Sequence, residues 1–290
     1  MKKSIFIWSI VLIIIAAIVG LNFEIRDKNK YVSVKTKQVV HGNVKCYLST
    51  TGIIKSKNIK EYYIPQGQVR KINVNEGDKV NKYSILMTYE MQGMENYIIA
   101  DFNGVVTKLN ASVGTISTGT QPVIIIQDLN DLECEINADK YSANGIKIGQ
   151  SAVITYGSKK YNGNVSYIAP VAEIETSAAG QNAVLPVDID IPSSIEGLIV
   201  GFDSDVNILV GEVKNVLKVP AESIKTDKTG KNYVFIVENG EAIRKVISLG
   251  LQSDTEAEVK GGLSEGDRVI LNPSGTMKNG TLVTGAVGGK

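Results

Sequence analysis

Apolar and polar residues alternate along most of the chain, with the period of two that a half-buried strand requires. Val187, Ile189 and Ile191 alternate with Asp188 and Asp190, and Leu132, Cys134 and Ile136 alternate with Glu133 and Glu135. In YVFIVENGEAIRKVISLG, two strand-like runs flank Asn239-Gly240, a pair suited to the positive φ values of a type I′ hairpin turn. A short helix is expected only near Ala138 to Ile146.

The N-terminal pattern differs. After Lys2 and Lys3 the run IFIWSIVLIIIAAIVGL, Ile5 to Leu21, is 17 residues long with no charge. As a helix it spans roughly 25 Å, close to a bilayer core. A signal peptide would have a shorter apolar region and a small-x-small cleavage site, which neither Ala17/Val19 nor Ile18/Gly20 supplies well. Residues 1–21 are therefore expected to be an uncleaved transmembrane anchor, and 22–31 (NFEIRDKNKY) a polar linker. The basic residues after the run, Arg26 to Lys37, outnumber those before it. A large domain nevertheless translocates largely regardless of such charges, so the bulk of the chain is expected outside.

One phrase recurs. GQVRKINVNEG begins at Gly67 and GVVTKLNASVG begins 37 residues later at Gly104. Gly67, Val69, Ile72, Asn73 and Gly77 align with Gly104, Val106, Leu109, Asn110 and Gly114. Two tandem copies of a strand closed by a glycine turn suggest a small sandwich with quasi-two-fold symmetry.

Composition narrows the chemistry. The 290 residues hold 31 Lys plus Arg against 30 Asp plus Glu, a balance that gives no electrostatic reason to expect nucleic acid. The two cysteines, Cys46 and Cys134, cannot build a structural zinc site; two buried free thiols are expected, with a single disulfide as the alternative. The lone histidine, His41, rules out an HExxH metalloprotease and reads as an ordinary surface or core side chain rather than a pH sensor.

Remaining candidates have bland readings. Asp188 and Asp190 have the i, i+2 spacing of a carboxylate pair, but apolar alternation makes them a solvated strand face. Gly114 to Gly119 has P-loop spacing with Thr120 where Lys is required. Glu76 and Asp78, and Glu265 and Asp267, flank Gly77 and Gly266 in turns, where Asp favours local backbone hydrogen bonds. Gly67, Gly77, Gly104, Gly114 and Gly266 are expected to be structural turn residues. No catalytic, cofactor-binding or metal-binding residue emerges, and no docking residue can be named.

The phrase Ile72-Asn73-Val74-Asn75-Glu76-Gly77-Asp78-Lys79-Val80 resembles the biotinyl/lipoyl domain. Carrier proteins of that fold attach a prosthetic group to a lysine on the hairpin between the halves. Tyr89 to Gly104 contains no lysine, so no cofactor is expected.

The rest of the chain resembles the adaptor subunits of bacterial export pumps, the HlyD-type membrane fusion proteins. Asp128-Leu129-Asn130-Asp131-Leu132 followed by Gly149-Gln150-Ser151-Ala152-Val153 is similar to one family phrase. Val216-Leu217-Lys218-Val219-Pro220-Ala221-Glu222-Ser223-Ile224 is similar to another, with Ser223 where Ala is usual. Gly262-Leu263-Ser264-Glu265-Gly266-Asp267-Arg268-Val269-Ile270 is similar to a third. The resemblance implies a mainly β chain: the N-terminal transmembrane helix, then a biotinyl/lipoyl-like sandwich (61–128), a β-barrel (43–60 plus 129–214) and a membrane-proximal β-domain (32–42 plus 215–290). In most such adaptors a long α-helical hairpin separates the lipoyl halves. Here about ten residues lie between Tyr89 and Ala100, too few for two helices of even ~12 residues. The hairpin is absent, and an outer-membrane channel is not an expected partner. The resemblance implies a non-enzymatic subunit of an efflux or export complex, held in the cytoplasmic membrane by a single pass. It would oligomerise into a ring, such as a hexamer, on an ABC-type or RND-type transporter. The alternative is a membrane-anchored envelope-binding or sensing protein with no transporter.

Overall fold

A computed structural model describes residues 31–177, 180–192 and 196–287. The expected anchor, 1–21, and all but the last residue of the expected linker lie outside the described residues. Among the described residues no helix is long and apolar enough to cross a membrane. They form strands and two 3-10 turns, Ala143–Gly145 and Ala221–Ser223.

The short helix expected at 138–146 is corrected. Leu132–Ala138 is strand to its end, and only one 3-10 turn follows. The Asp139 carboxylate accepts the amides of Tyr141 and Ser142 as an N-cap would, so a helical turn does start here, but it is not continued. Asn144 and Gly145 then supply poor helix propensity, and Ile146 is already extended.

The chain divides into two compact units, 47–210 and 1–46 with 211–290. Within 47–210, residues 59–127 form a sandwich of two four-stranded sheets. One is ordered Met94–Ile99, Ile85–Met91, Gly67–Ile72, Ile116–Ser117; the other is Ile59–Tyr62, Ile124–Gln127, Gly104–Leu109, Lys79–Val80. Each repeat lends a short strand to the other's sheet: Lys79–Val80 pairs with Gly104–Leu109, and Ile116–Ser117 pairs with Gly67–Ile72. Gly67–Ile72 and Gly104–Leu109 have the same burial pattern. Val69 and Val106, with Leu86, Met87, Ile124 and Ile126, fill a core between the sheets. Asn73 and Asn110 also match: each side-chain amide donates to a backbone carbonyl, Ile85 at 3.2 Å and Pro122 at 3.0 Å. The repeat is a structural two-fold.

The remainder of this unit is a sheet that returns on itself. Its order runs Ser151–Tyr156, Lys159–Ile168, Gly180–Asp190, Leu132–Ala138, Val40–Ser56, Asp203–Pro220, and Ser151–Tyr156 pairs again with Asp203–Pro220. The alternation read at Val187/Ile189 and Cys134/Ile136 points one row inward, where it meets Ile54, Ile154, Val206 and Ile208.

The other unit is built on a six-stranded sheet. The strand Val32–Gln38 lies between Thr281–Val287, which it pairs with in parallel, and Arg268–Ile270, which it meets antiparallel. Asn232–Glu238 and Glu241–Val246 form the expected hairpin, with Asn239 and Gly240 at φ +50° and +80°. Its buried residues include Val34, Phe235, Ala242 and Ile270 on one side, and Val39, Val219, Ile236 and Val269 in a second cluster.

Candidate functional site

In the lipoyl-like sandwich, the place where a carrier protein would present its lysine is the hairpin of Ile85–Met91 and Met94–Ile99. The register runs to Met91↔Met94, and Gln92 and Gly93 close the turn at φ +54° and +78°. Met, Gln, Gly and Met offer no amine on which an amide to biotin or lipoate could form.

The five glycines occupy two kinds of position, and the expectation of turns is corrected for Gly67 and Gly104, each of which is the first residue of a strand. Gly77, Gly114 and Gly266 have φ of +89°, +90° and +92°. Gly67 and Gly104 instead lie under close neighbours: a Cβ would fall 2.6 Å from Glu90 O in one case and 2.6 Å from Ile126 Cγ2 in the other. The acidic pairs around Gly77 and Gly266 share one turn. Asp78 Oδ2 accepts the Asn75 amide at 2.8 Å, and Asp267 Oδ2 accepts the Ser264 amide at 3.0 Å. Glu76 Oε1 accepts the Leu109 amide at 2.8 Å and ties the first turn to the second repeat. In the P-loop-like stretch, Ser117 Oγ donates to Ile64 O, an internal bond.

The Asp188/Asp190 face is more than a solvated strand. Antiparallel pairing sets Glu133 across from Asp190 and Glu135 across from Asp188, with Lys55 beside Glu133 on the next strand. Lys55 Nζ bonds Glu135 at 2.5 Å; Lys57 bonds Asp190 and, at 2.8 Å, Asp131. Burial opposes the charge on Lys57, but its hydrogen bonds to Asp131 and Asp190 raise its pKa. Burial, then the Asp188 charge, raises that of Glu133; burial, then the Glu135 charge, raises that of Asp188. The sequence showed the carboxylates and missed their partners. Lys55 is near the end of its strand and Lys57 just past it, but only the register shows which acids they face.

Both cysteines are free. Cys134 is buried, as expected, and burial lifts its thiol pKa to about 11 against a partly offsetting hydrogen bond to Ser204. Cys46 is only half-buried, which corrects the expectation of two buried thiols. His41 Nδ1 lies 3.3 Å from Glu265 Oε2 at the surface. In the same unit Asp227 accepts from Thr229, Lys231 and Arg244, and Arg244 stacks 4.1 Å over the Tyr233 ring.

The described residues thus hold a lipoyl-like sandwich whose hairpin carries no lysine, together with further β-domains. Residues 61–126 match the family model described as "Biotin-requiring enzyme", and residues 216–285 match "YknX, C-terminal permuted SH3-like domain". The chain is 30% identical over 193 residues to the efflux system component YknX of Bacillus subtilis (strain 168), covering 63% of this chain and 50% of YknX. It is 25% identical over 182 residues to the macrolide export protein MacA of Escherichia coli O157:H7, covering 60% and 48%. The chain thus spans about half the length of the curated relatives it matches. The crystal structure of MacA from Actinobacillus actinomycetemcomitans shares the fold at a TM-score of 0.69, with 17% identity, over 82% of this chain and 99% of that one. By name these relatives are an efflux system component and a macrolide export protein, and the likeness to the MacA crystal structure shows the fold.

Proposed function

We propose that this chain is the non-enzymatic adaptor subunit of an efflux or export complex, assembling as a homo-oligomer outside the cytoplasmic membrane on an ABC-type transporter. The observation that carries this is the lipoyl-like hairpin closed by Gln92-Gly93 in a chain whose relatives are efflux components. An RND-type transporter is the alternative partner. The self-returning sheet of 43–60 and 129–214 is the barrel domain, 61–128 the lipoyl-like domain, and 32–42 with 215–290 the membrane-proximal domain. Residues 1–21 anchor the chain as a single pass.

Without an intervening helical hairpin, the turn at Gly93 has no outer-membrane channel to reach. Docking falls to the unit that holds both ends of the chain. A short Gly-Ser insertion at Gly93 is expected to leave capture of the permease intact. Lys228→Glu with Lys278→Glu, both exposed in 215–290, is expected to weaken it. The opposite pattern overturns the assignment of the docking end.

A further inference from the structure

Ile126 lies in the core of the lipoyl-like sandwich, so Gln127, next to it on the strand, faces away from that core. Thr107 is the extra residue of a bulge. The register passes from Lys108↔Ile125 to Val106↔Ile126 and leaves Thr107 unpaired, with its side chain exposed. Both side chains line a cavity of about 320 Å³. Leu129 and Leu132, where the chain enters the self-returning sheet, line it as well, together with Leu198, Ile199 and Val200. Sandwich and sheet belong to the one compact unit 47–210. The lining runs from core to solvent, with Leu132 2% and Ile199 54% exposed.

Backbone bonds hold this cavity open. Gly201 N donates to Ile54 O at 2.8 Å and Ile54 N donates to Phe202 O at 3.0 Å, which fixes the 198–202 segment on the returning sheet. Leu198 and Val200 pack against that sheet's core. Five of the seven lining residues are aliphatic, and no charged side chain lines the cavity among the described residues. The polar groups come from the sandwich. Thr107 Oγ1 donates to Ile125 O at 3.4 Å. The Gln127 carboxamide has no hydrogen-bond partner among the described residues and stays open to solvent. It offers two N–H donors and one carbonyl acceptor.

We propose that this cavity binds a small, uncharged, mainly apolar molecule carrying one hydrogen-bonding oxygen or nitrogen. Its apolar body lies on Leu129, Leu132 and Leu198, and its polar group bonds the Gln127 carboxamide. Size sets the class. An apolar cavity of ~150 Å³ holds benzene, so about twice that volume holds two rings or a chain of roughly twelve carbons. Aliphatic walls with one placed polar group are the usual make-up of a small-molecule pocket. A charged ligand is disfavoured, because its charge would lose water and meet no counter-charge on the lining. A molecule held here touches the sandwich and the returning sheet at once. The proposal goes beyond the adaptor reading and does not rest on it, since the site lies within one unit of a single copy.

Benzophenone is the probe for the test. It has two rings, a carbonyl oxygen that can accept from Gln127 Nε2, and a photochemistry that attaches it to nearby C–H bonds. The full-length chain in detergent is irradiated with it, attachment is mapped by mass spectrometry, and folding is followed by thermal unfolding. Saturable attachment at Leu129, Leu132 or residues 198–200 is expected. Diphenylmethane, the same body without the carbonyl, is expected to compete about tenfold less well than unlabelled benzophenone. The charged 4-benzoylbenzoate is expected to compete less well still. Gln127→Met is expected to abolish the preference for benzophenone over diphenylmethane. Leu129→Trp, and separately Ile199→Trp, are expected to fill the cavity and remove attachment without lowering the melting temperature. Attachment that fails to saturate, that spreads to exposed apolar residues elsewhere, or that persists in a stably folded filling variant overturns the site. A preference unchanged by Gln127→Met, or 4-benzoylbenzoate competing as well as benzophenone, overturns the assigned ligand class. If both filling variants lose stability, the wild-type map and the two competitors decide by the same criteria. Permease captured by these variants leaves the adaptor reading standing whichever way the site is decided.

Discussion

The amide of Gly77 donates to the carbonyl of Val106 at 2.8 Å, and the symmetry-matched bond runs from Gly114 to Val69, also at 2.8 Å. Each repeat therefore closes its turn on the other repeat's strand. That explains why the glycine-to-glycine spacing is the same in both copies: a turn shifted by one residue would face its strand with the wrong side chains.

The two kinds of repeat glycine are expected to fail differently. No atom lies within 4 Å of a Cβ at Gly77, so Gly77→Ala bears only the strain of positive φ, about 1 kcal/mol. At Gly104 a Cβ would meet Ile126 Cγ2 at 2.6 Å and Gln127 O at 2.8 Å, within the sheet. Gly104→Ala is expected to cost more, about 2–3 kcal/mol. Urea unfolding followed by circular dichroism measures both; a larger loss at Gly77 contradicts the close-approach argument.

The charged face formed by Glu133, Glu135, Asp188 and Asp190 gives a pH signature. Burial followed by a neighbouring carboxylate raises the folded-state pKa of Glu133 and Asp188. Groups raised in this way contribute stability below their unfolded values, about pH 4, and lose it as pH rises through the folded values. Asp188→Asn is therefore expected to stabilise the chain by a few tenths of a kcal/mol at pH 7, after solvent screening, and by nothing near pH 4. Asp227 has the opposite sign. Its hydrogen bonds, led by the Thr229 hydroxyl, lower its pKa, so its contribution is present above about pH 4 and is lost as pH falls. Melting temperatures from pH 2 to 8 separate the two. An Asp188→Asn advantage that grows on acidification contradicts the assignment.

The thiols should differ in reactivity. Cys134 is fully buried with its pKa pushed up to about 11, whereas Cys46 is half-buried. Maleimide is expected to label Cys46 in the native chain and Cys134 only after unfolding. Rapid native labelling of Cys134 contradicts its place in the core.

The hairpin at Gln92-Gly93 is expected to carry no prosthetic group in the native host. The intact mass of chain purified from that host is the check, and a biotin or lipoyl increment contradicts it.

Local patterns carried much of this fold. Alternation located the strands at Leu132–Ile136 and Val187–Ile191, Asn239-Gly240 announced its hairpin, and the repeat exposed the two-fold. Non-local information carried the rest. Lys57 meets Asp131 and Asp190 through register, which no single segment reveals. The run from Ala138 to Ile146 has a helix start at Asp139, but Asn144-Gly145 ends it after one turn and Ile146 is extended.

The adaptor reading is tested most directly by affinity capture of the full-length chain from its native membrane, followed by identification of what comes with it. An ATP-binding-cassette permease recovered in fixed ratio with several copies of the chain is the result expected. Recovery of the chain with wall or envelope components and no transporter, under conditions that preserve membrane complexes, would contradict it and favour an anchored envelope-binding protein.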